Sequence, residues 1–276
     1  MIPKYTGPPV PDEVFVDEAL KIIGKAQERD LYLRVVGSLA IRIHSPEYAD
    51  LQVNLGRLGE NKQNFSDLDF IAYGKQREGV VKLFEKELRY KSNSQLNFIF
   101  GKHRRIYYQP DGKYHVDVFF DKLDFSHTVY FGDSPKDGRL SLDSPTITLT
   151  DLMLEKLQIH DINEKDIKDI IVLLRAHELG CVDQKEIINI EYICKLLADD
   201  WGFWYDAKIN LGKVVKLAEI YLDENKLEIE DFDDVKVKVQ SILKRLDAEP
   251  KTKSWDKRAK IGESKAWWRR IEEVAR

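Results

Sequence analysis

Residues 67–72 read Asp67-Leu68-Asp69-Phe70-Ile71-Ala72, a short apolar run with two carboxylates at its start. Side chains alternate across a strand, so Asp67 and Asp69 point to one face and Leu68 and Phe70 to the other. Two carboxylates on one face repel each other unless solvent or a cation compensates. Mg²⁺ prefers carboxylate oxygens and keeps several waters, which leaves room for phosphate oxygens. The pair is therefore a candidate metal seat, or simply the solvated start of a strand.

A third acid lies further along. In His115-Val116-Asp117-Val118-Phe119-Phe120, the residues Val116, Val118 and Phe120 are expected to face the core, with His115 and Asp117 on the other side. A carboxylate in so apolar a strand needs a compensating group or water, because burying an unpaired charge is costly. Packed beside Asp67 and Asp69, it completes a cluster able to hold two metal ions about 3.5–4 Å apart, and it is placed to accept a proton from an attacking hydroxyl. The alternative is an Asp on the solvent side of a half-buried strand. Upstream, Leu31 to Val36 reads as a strand closed by Gly37-Ser38, with a short helical stretch from Leu39 to Ile43. Such a turn offers free backbone N–H groups and a small hydroxyl to a phosphate, though it is also an ordinary strand-to-helix turn.

Taken together, Val35-Val36-Gly37-Ser38, Asp67-Leu68-Asp69-Phe70 and Val116-Asp117-Val118 resemble the signature of the DNA polymerase beta-like nucleotidyltransferase superfamily. The resemblance spans roughly residues 13–125, and more weakly the helices to about 178. It implies an α+β fold: a nucleotidyltransferase-type mixed sheet with flanking helices, followed by an all-helical C-terminal domain. It implies Asp67, Asp69 and Asp117 as catalytic metal ligands for two Mg²⁺ ions, and Gly37 and Ser38 as phosphate-binding residues. The substrate is then a nucleoside triphosphate, whose nucleoside monophosphate passes to an acceptor hydroxyl as pyrophosphate leaves. The stretch from Leu152 to Ile170 is similar to the helical segment after the core in nucleotidyltransferases of the AbiE toxin type and in antibiotic-modifying relatives. That likeness implies Lys156, and second Lys165, near the nucleotide phosphates; a solvated amphipathic helix is the other reading. The segment between Ser38 and Asp67 is longer than the family usually shows, which makes residues 44–64 an insertion.

The rest of the N-terminal half follows from periodicity and turn chemistry. Residues 1–12 are Pro-rich and read as an extended arm. Helical spacing predicts a helix over 14–27 and another over 79–88. Residues 44–64 are polar and irregular and read as a long loop. Strands are expected at 97–100, 105–109 and 114–120, with Pro110-Asp111-Gly112 as the hairpin turn. From Thr150, a candidate cap, the pattern is helical: 150–161, 164–178, 184–199, 208–223, 231–246 and 254–275. The composition shift puts a domain boundary near 145, giving a catalytic domain over 1–145 and a helical domain over 146–276.

Several classes are disfavoured. The net charge of −4 gives no general pull toward nucleic acid or membrane. No apolar run approaches the ~18 residues of a membrane span, and the N-terminus shows no secretory pattern. Cys181 and Cys194 read as two reduced thiols in helices. A cytoplasmic protein is the expectation. His44, His115, His160 and His177 lack metal-ligand spacing, so no zinc site is proposed.

Other local features each carry two readings. Lys102-His103-Arg104-Arg105 reads as a solvated hairpin edge or a contact for triphosphate. Trp201, Phe203, Trp204 and Tyr205 read as packing or as a base-stacking wall. The basic, Trp-containing stretch 251–276 reads as docked on the acidic segment 223–234, or as an RNA-binding tail. The acceptor stays open between a small molecule, a protein side chain and an RNA end. The alternative function is a nucleotide-binding toxin or regulatory component of a two-component defence system, with a protein partner and little catalysis.

Overall fold

The computed structural model describes residues 7–59 and 63–270. In chain order its main elements are α1 (Asp12–Gln27), β1 (Leu33–Val35), α2 (Gly37–His44), α3 (Ala49–Asn54), β2 (Asp67–Ala72), α4 (Arg77–Lys82), β3 (Lys91–Ser92), α5 (Ser94–Phe100), β4 (Arg104–Tyr108) and β5 (His115–Phe120). They continue as α6 (Leu149–Leu157), α7 (Glu164–Ala176), α8 (Ile190–Leu197), α9 (Trp201–Asp223), α10 (Ile229–Ala248) and α11 (Lys253–Ala259). The fold is α+β, a mixed sheet with helices followed by a long helical region. Two compact units divide the chain. One holds residues 1–44, 58–123 and 130–148; the other holds 45–57, 124–129 and 149–276.

The first unit is built on a five-stranded sheet of order β1-β2-β5-β4-β3. β2 and β5 run parallel in its middle, and the other neighbouring pairs are antiparallel. β5 therefore has a strand on each side, and every residue from Val116 to Phe120 is buried. α1 buries Phe15, Ala19, Ile22, Ile23 and Ala26, one stripe at helical spacing, and packs on β1, β2 and α2. On the sheet face carrying Phe70 and Tyr107, the Phe84 ring lies edge-on to Phe70 and stacks on Tyr107 at 4.8 Å. That aromatic packing covers one face.

Two predictions for this region are corrected. Residues 97–100 form the end of helix α5, not a strand. The Asn93 side chain caps the helix by accepting from the Leu96 amide. The buried Asn97 amide then takes the place of a strand backbone, donating to the Ile106 carbonyl and accepting from the Ile106 amide. Residues 45–57, expected as irregular loop, form a helical turn and α3, and belong to the other unit. There Arg57 pairs with Asp169, Lys168 donates to the Gly56 carbonyl, and the Ser45 hydroxyl meets His177. Residues 60–62 of the expected loop, and residues 1–6 of the expected arm, lie outside the described residues.

In the helical unit, α7, α9 and α10 pack on one another and α6 lies against α7 and α9. Asn163, Asn189 and Asp200 cap α7, α8 and α9 through their side chains. A short parallel pair, Glu178–Gly180 with Ile187–Asn189, occupies part of the span expected to be helix over 184–199. Thr150 sits inside α6 rather than capping it, and its hydroxyl accepts from the Asn189 amide. Cys194 is buried in α8, whereas Cys181 is exposed outside any helix. The expected helix 254–275 stops at Ala259, ahead of Gly262 at φ +54°; residues 271–276 lie outside the described residues.

The stretch 251–270 docks within this unit, though not on 223–234. Arg269 pairs with Asp124 and donates to the Phe125 carbonyl, while its amide donates to the Ser126 carbonyl. Trp267 donates to Asp206, Trp268 stacks on His160, and Arg258 lies over Trp201. The aromatic residues of α9 are part of this packing: Trp201 stacks on Tyr205 and Trp204 meets Trp255 edge-on. Among the described residues, no helix is long and apolar enough to cross a membrane.

Candidate active site

The sheet of the first unit sorts its side chains by parity. In the parallel β2–β5 pair, Asp67 is in register with His115 and Asp69 with Asp117. Residues in register share a face, so Asp67, Asp69, His115 and Asp117 lie on the side opposite Phe70 and Val118. β4 adds to the same face, because Arg104 is in register with Phe119 and Ile106 with Asp117. Sequence spacing alone puts Asp67 and Asp69 together. The pairing of β2 with β5 is what brings Asp117 beside them.

Asp117 is fully buried, and its compensating cation is a protein group. The Arg104 guanidinium donates from Nε to Oδ1 at 3.0 Å and from Nη2 to Oδ2 at 2.8 Å, a two-pronged pair. Arg104 was expected at a solvated hairpin edge, yet its side chain is only 18% exposed. Its charge is held more firmly than in water. Burial works against the cation, and the Asp117 hydrogen bonds, with the fields of Asp117, Asp69 and Asp67, outweigh it. Arg104 also lies over the Phe119 ring at 5.1 Å. The sequence signal for it was present: an Arg at the start of a strand pairing with the one that carries Asp117.

His115 bridges two of the acids, with Nε2 at 3.2 Å from Asp67 and 3.8 Å from Asp117. The Ser66 hydroxyl donates to Asp67 at 3.1 Å. Asp67 and Asp69 are half-buried at the start of β2. The Gly37-Ser38 turn is held next to this pair. β1 pairs with β2 through Val35 and Phe70, and the Val36 amide donates to the Asp69 carbonyl at 3.0 Å. Gly37 follows with φ +74°, a conformation that favours glycine, and opens helix α2. Residues 45–57, which follow α2, belong to the other unit.

The donor set suits a hard divalent cation in kind: three carboxylates on one sheet face. As they stand, no three His, Cys, Asp or Glu groups converge to hold a metal ion among the described residues. Both Asp117 oxygens are engaged by Arg104.

The two lysines expected near phosphates are in the helical unit. Lys165 is exposed on the first turn of α7. Lys156 is buried, with Nζ 2.9 Å from both Asp166 and Asp169. Burial disfavours its charge, but the two carboxylates, helped by Glu155, more than offset this and push its pKa up. Asp166 shows the converse: burial opposes its charge, and Lys156 holds its pKa down. The solvated-helix reading of this segment is corrected, since Glu155, Lys156, Asp166, Lys168 and Asp169 are all buried.

No protein-family description matches the chain, and no curated protein matches it. A solved structure of the antibiotic-resistance factor ANT(2'')-Ia is similar, with 16% identity and a TM-score of 0.35 over 59% of this chain and 83% of that one.

Proposed function

We propose that the first unit is a nucleotidyltransferase domain that moves a nucleoside monophosphate from a nucleoside triphosphate to an acceptor hydroxyl. The observation that carries this reading is the register of Asp69 with Asp117 on parallel neighbours, which sets three carboxylates on one face beside the Gly37-Ser38 turn. Asp67 and Asp69 would hold Mg²⁺, with Asp117 joining them. Bound Mg²⁺ supplies charge neutralisation and Lewis acidity at the phosphates. Gly37 and Ser38 present N–H groups and a hydroxyl at the start of α2 to a phosphate. Asp117 accepts the proton of the acceptor hydroxyl as that oxygen bonds to the α-phosphorus. The bond from the α-phosphorus to the bridging oxygen breaks, and pyrophosphate leaves. Catalysis on this account is mostly positioning and charge compensation.

Of the two lysines, Lys165 is exposed on α7. Lys156 is proposed as the structural cation of the α6–α7 pair. Because nucleoside triphosphates and Mg²⁺ are intracellular reagents, the reading implies a cytoplasmic enzyme. A second reading, a nucleotide-binding regulatory or toxin-like component with slight catalysis, draws on the engagement of Asp117 by Arg104.

The test is pyrophosphate release from triphosphates with Mg²⁺ over a panel of small hydroxyl compounds, proteins and RNA ends. Asp67→Asn and Asp69→Asn should abolish release while the folded state survives. Release retained in both variants would sink the reading. Tight nucleotide binding with no release would favour the second one.

A further inference from the structure

We propose that Arg104 is an internal counter-ion that holds Asp117 until a triphosphate draws its guanidinium away, so that nucleotide binding completes the divalent-cation site. The inference rests on the nucleotidyltransferase reading and adds to it a positioning residue with a defined handover.

Three observations carry it. The first is occupancy. Arg104 donates one hydrogen bond to each oxygen of a carboxylate that is fully buried. A divalent cation that takes an Asp117 oxygen must displace one of those donors. The second is arrangement. Asp67, Asp69 and Asp117 share a sheet face, yet no three such groups converge on a common point among the described residues. Both oxygens of Asp117 are paired with Arg104 of β4. The third is the position of the guanidinium. Arg104 is the first residue of β4, its side chain is 18% exposed, and it rests over the Phe119 ring. It is thus both pinned and reachable from solvent.

A guanidinium fork matches phosphate oxygens as well as it matches a carboxylate. When a triphosphate enters the face beside Asp67 and Asp69, it offers Arg104 a more highly charged partner. Asp117 then loses the two-pronged guanidinium, with His115 still 3.8 Å away, and a divalent ion takes up the charge compensation that Arg104 supplied. Without nucleotide, Arg104 competes with the metal. With nucleotide, the two cations divide the anions between them. Coupling of this kind is reciprocal: whatever factor nucleotide adds to metal affinity, metal adds to nucleotide affinity.

The test uses the full chain and two separate titrations. One measures Mn²⁺ alone, by calorimetry or by the paramagnetic signal of the free ion. The other measures α,β-methylene-ATP in excess chelator, so that no divalent cation is present. For Arg104→Gln the expected results run in opposite directions. Mn²⁺ should bind about tenfold tighter than to the wild type, and the metal-free nucleotide analogue about tenfold weaker. A merely structural residue would weaken both together. Arg104→Lys keeps the charge but loses the fork, so it should shift both titrations in the same senses by less. If Arg104→Gln does not fold, the Lys variant decides. Asp69→Asn separates the two levels of the account. If Mn²⁺ affinity is indifferent to Asp69→Asn, the nucleotidyltransferase reading fails. If Asp69→Asn weakens Mn²⁺ but the Arg104 variants bind it no more tightly than the wild type, the counter-ion proposal is overturned and the reading stands.

Discussion

The amide of Val36 donates to the carbonyl of Asp69 at 3.0 Å, and with the β1–β2 pairing this places the start of α2 alongside the acids of β2. Gly37 comes next in the chain, at φ +74°. A side chain there meets the steric cost of the left-handed region, roughly 1–2 kcal/mol. Gly37→Ala should therefore lose about that much stability in urea unfolding. It should also weaken nucleotide binding, because relief of the strain moves the amides of the turn. Unchanged nucleotide affinity would remove Gly37 from the phosphate site.

Lys156 tests the division between structural and binding roles. Its ammonium compensates two buried carboxylates, Asp166 and Asp169. Removing one partner of a buried ion pair costs about 3–5 kcal/mol, because the remaining charge stays buried. Lys156→Met should show a loss of that order in chemical denaturation, with nucleotide affinity per folded molecule unchanged. Wild-type stability together with lost nucleotide affinity would return Lys156 to the phosphates.

Asp206 ties the C-terminal segment to α9 and gives that contact a pH dependence. Its carboxylate receives His127 Nε2 at 2.7 Å, His160 Nδ1 at 3.0 Å and Trp267 Nε1 at 2.9 Å. Burial would raise its pKa, but the hydrogen bonds from His127, Trp267 and His160 outweigh this and hold it below the usual Asp value. A depressed folded-state pKa means stabilisation that is complete above the unfolded value, about 3.9. It disappears as pH falls through the lower folded value. Tryptophan fluorescence should thus report a docked tail down to about pH 4 and its release in stronger acid. Asp206→Asn should lose that acid step. A release centred well above the carboxylate range, or one unaffected by Asp206→Asn, would contradict this account of the tail.

Gly202 supplies an independent check on the same docking. A Cβ added at Gly202 would lie 2.7 Å from the Trp267 backbone oxygen. Gly202→Ala should therefore push the segment outward and expose it to limited proteolysis. A cleavage pattern identical to the wild type would show that the segment does not pack there.

Much of the sheet was legible in the sequence because its signals are local. The alternation of 67–72 gave β2, the Pro-Asp-Gly turn gave the β4–β5 hairpin, and helical spacing gave α1, although Leu20 of the apolar stripe is exposed while Phe15 and Ile22 are buried. The errors have local causes too. Phe98 and Ile99 suggested a strand at 97–100, but both are exposed on α5, where a capping Asn93 and the Asn97 amide decide the conformation. Residues 45–57 looked irregular because their few apolar residues, such as Leu51 and Leu55, are buried in a unit otherwise made from distant sequence. At the candidate site, the spacing of Asp67 and Asp69 could be read directly. For the Arg104–Asp117 pair the turn supplied the neighbouring strand but not the register that sets Arg104 on the face of Asp117. The guanidinium thirteen residues earlier, which the spacing of the acids does not announce, engages both oxygens of Asp117. The charges of 152–170 looked like a solvated face because nothing in their spacing shows that Lys156 pairs with Asp166 and Asp169 out of water.

On the proposed function, the acids of β2 and β5 serve transfer at the α-phosphorus. The direct measurement incubates the protein and Mg²⁺ with triphosphates labelled at either the α- or the γ-phosphate, over the same acceptor panel. The α-label should become attached to an acceptor while the γ-label leaves as pyrophosphate, and Asp69→Asn should abolish both. Transfer of the γ-label to an acceptor, or its release as inorganic phosphate with the α-label left on the nucleoside diphosphate, would contradict that function.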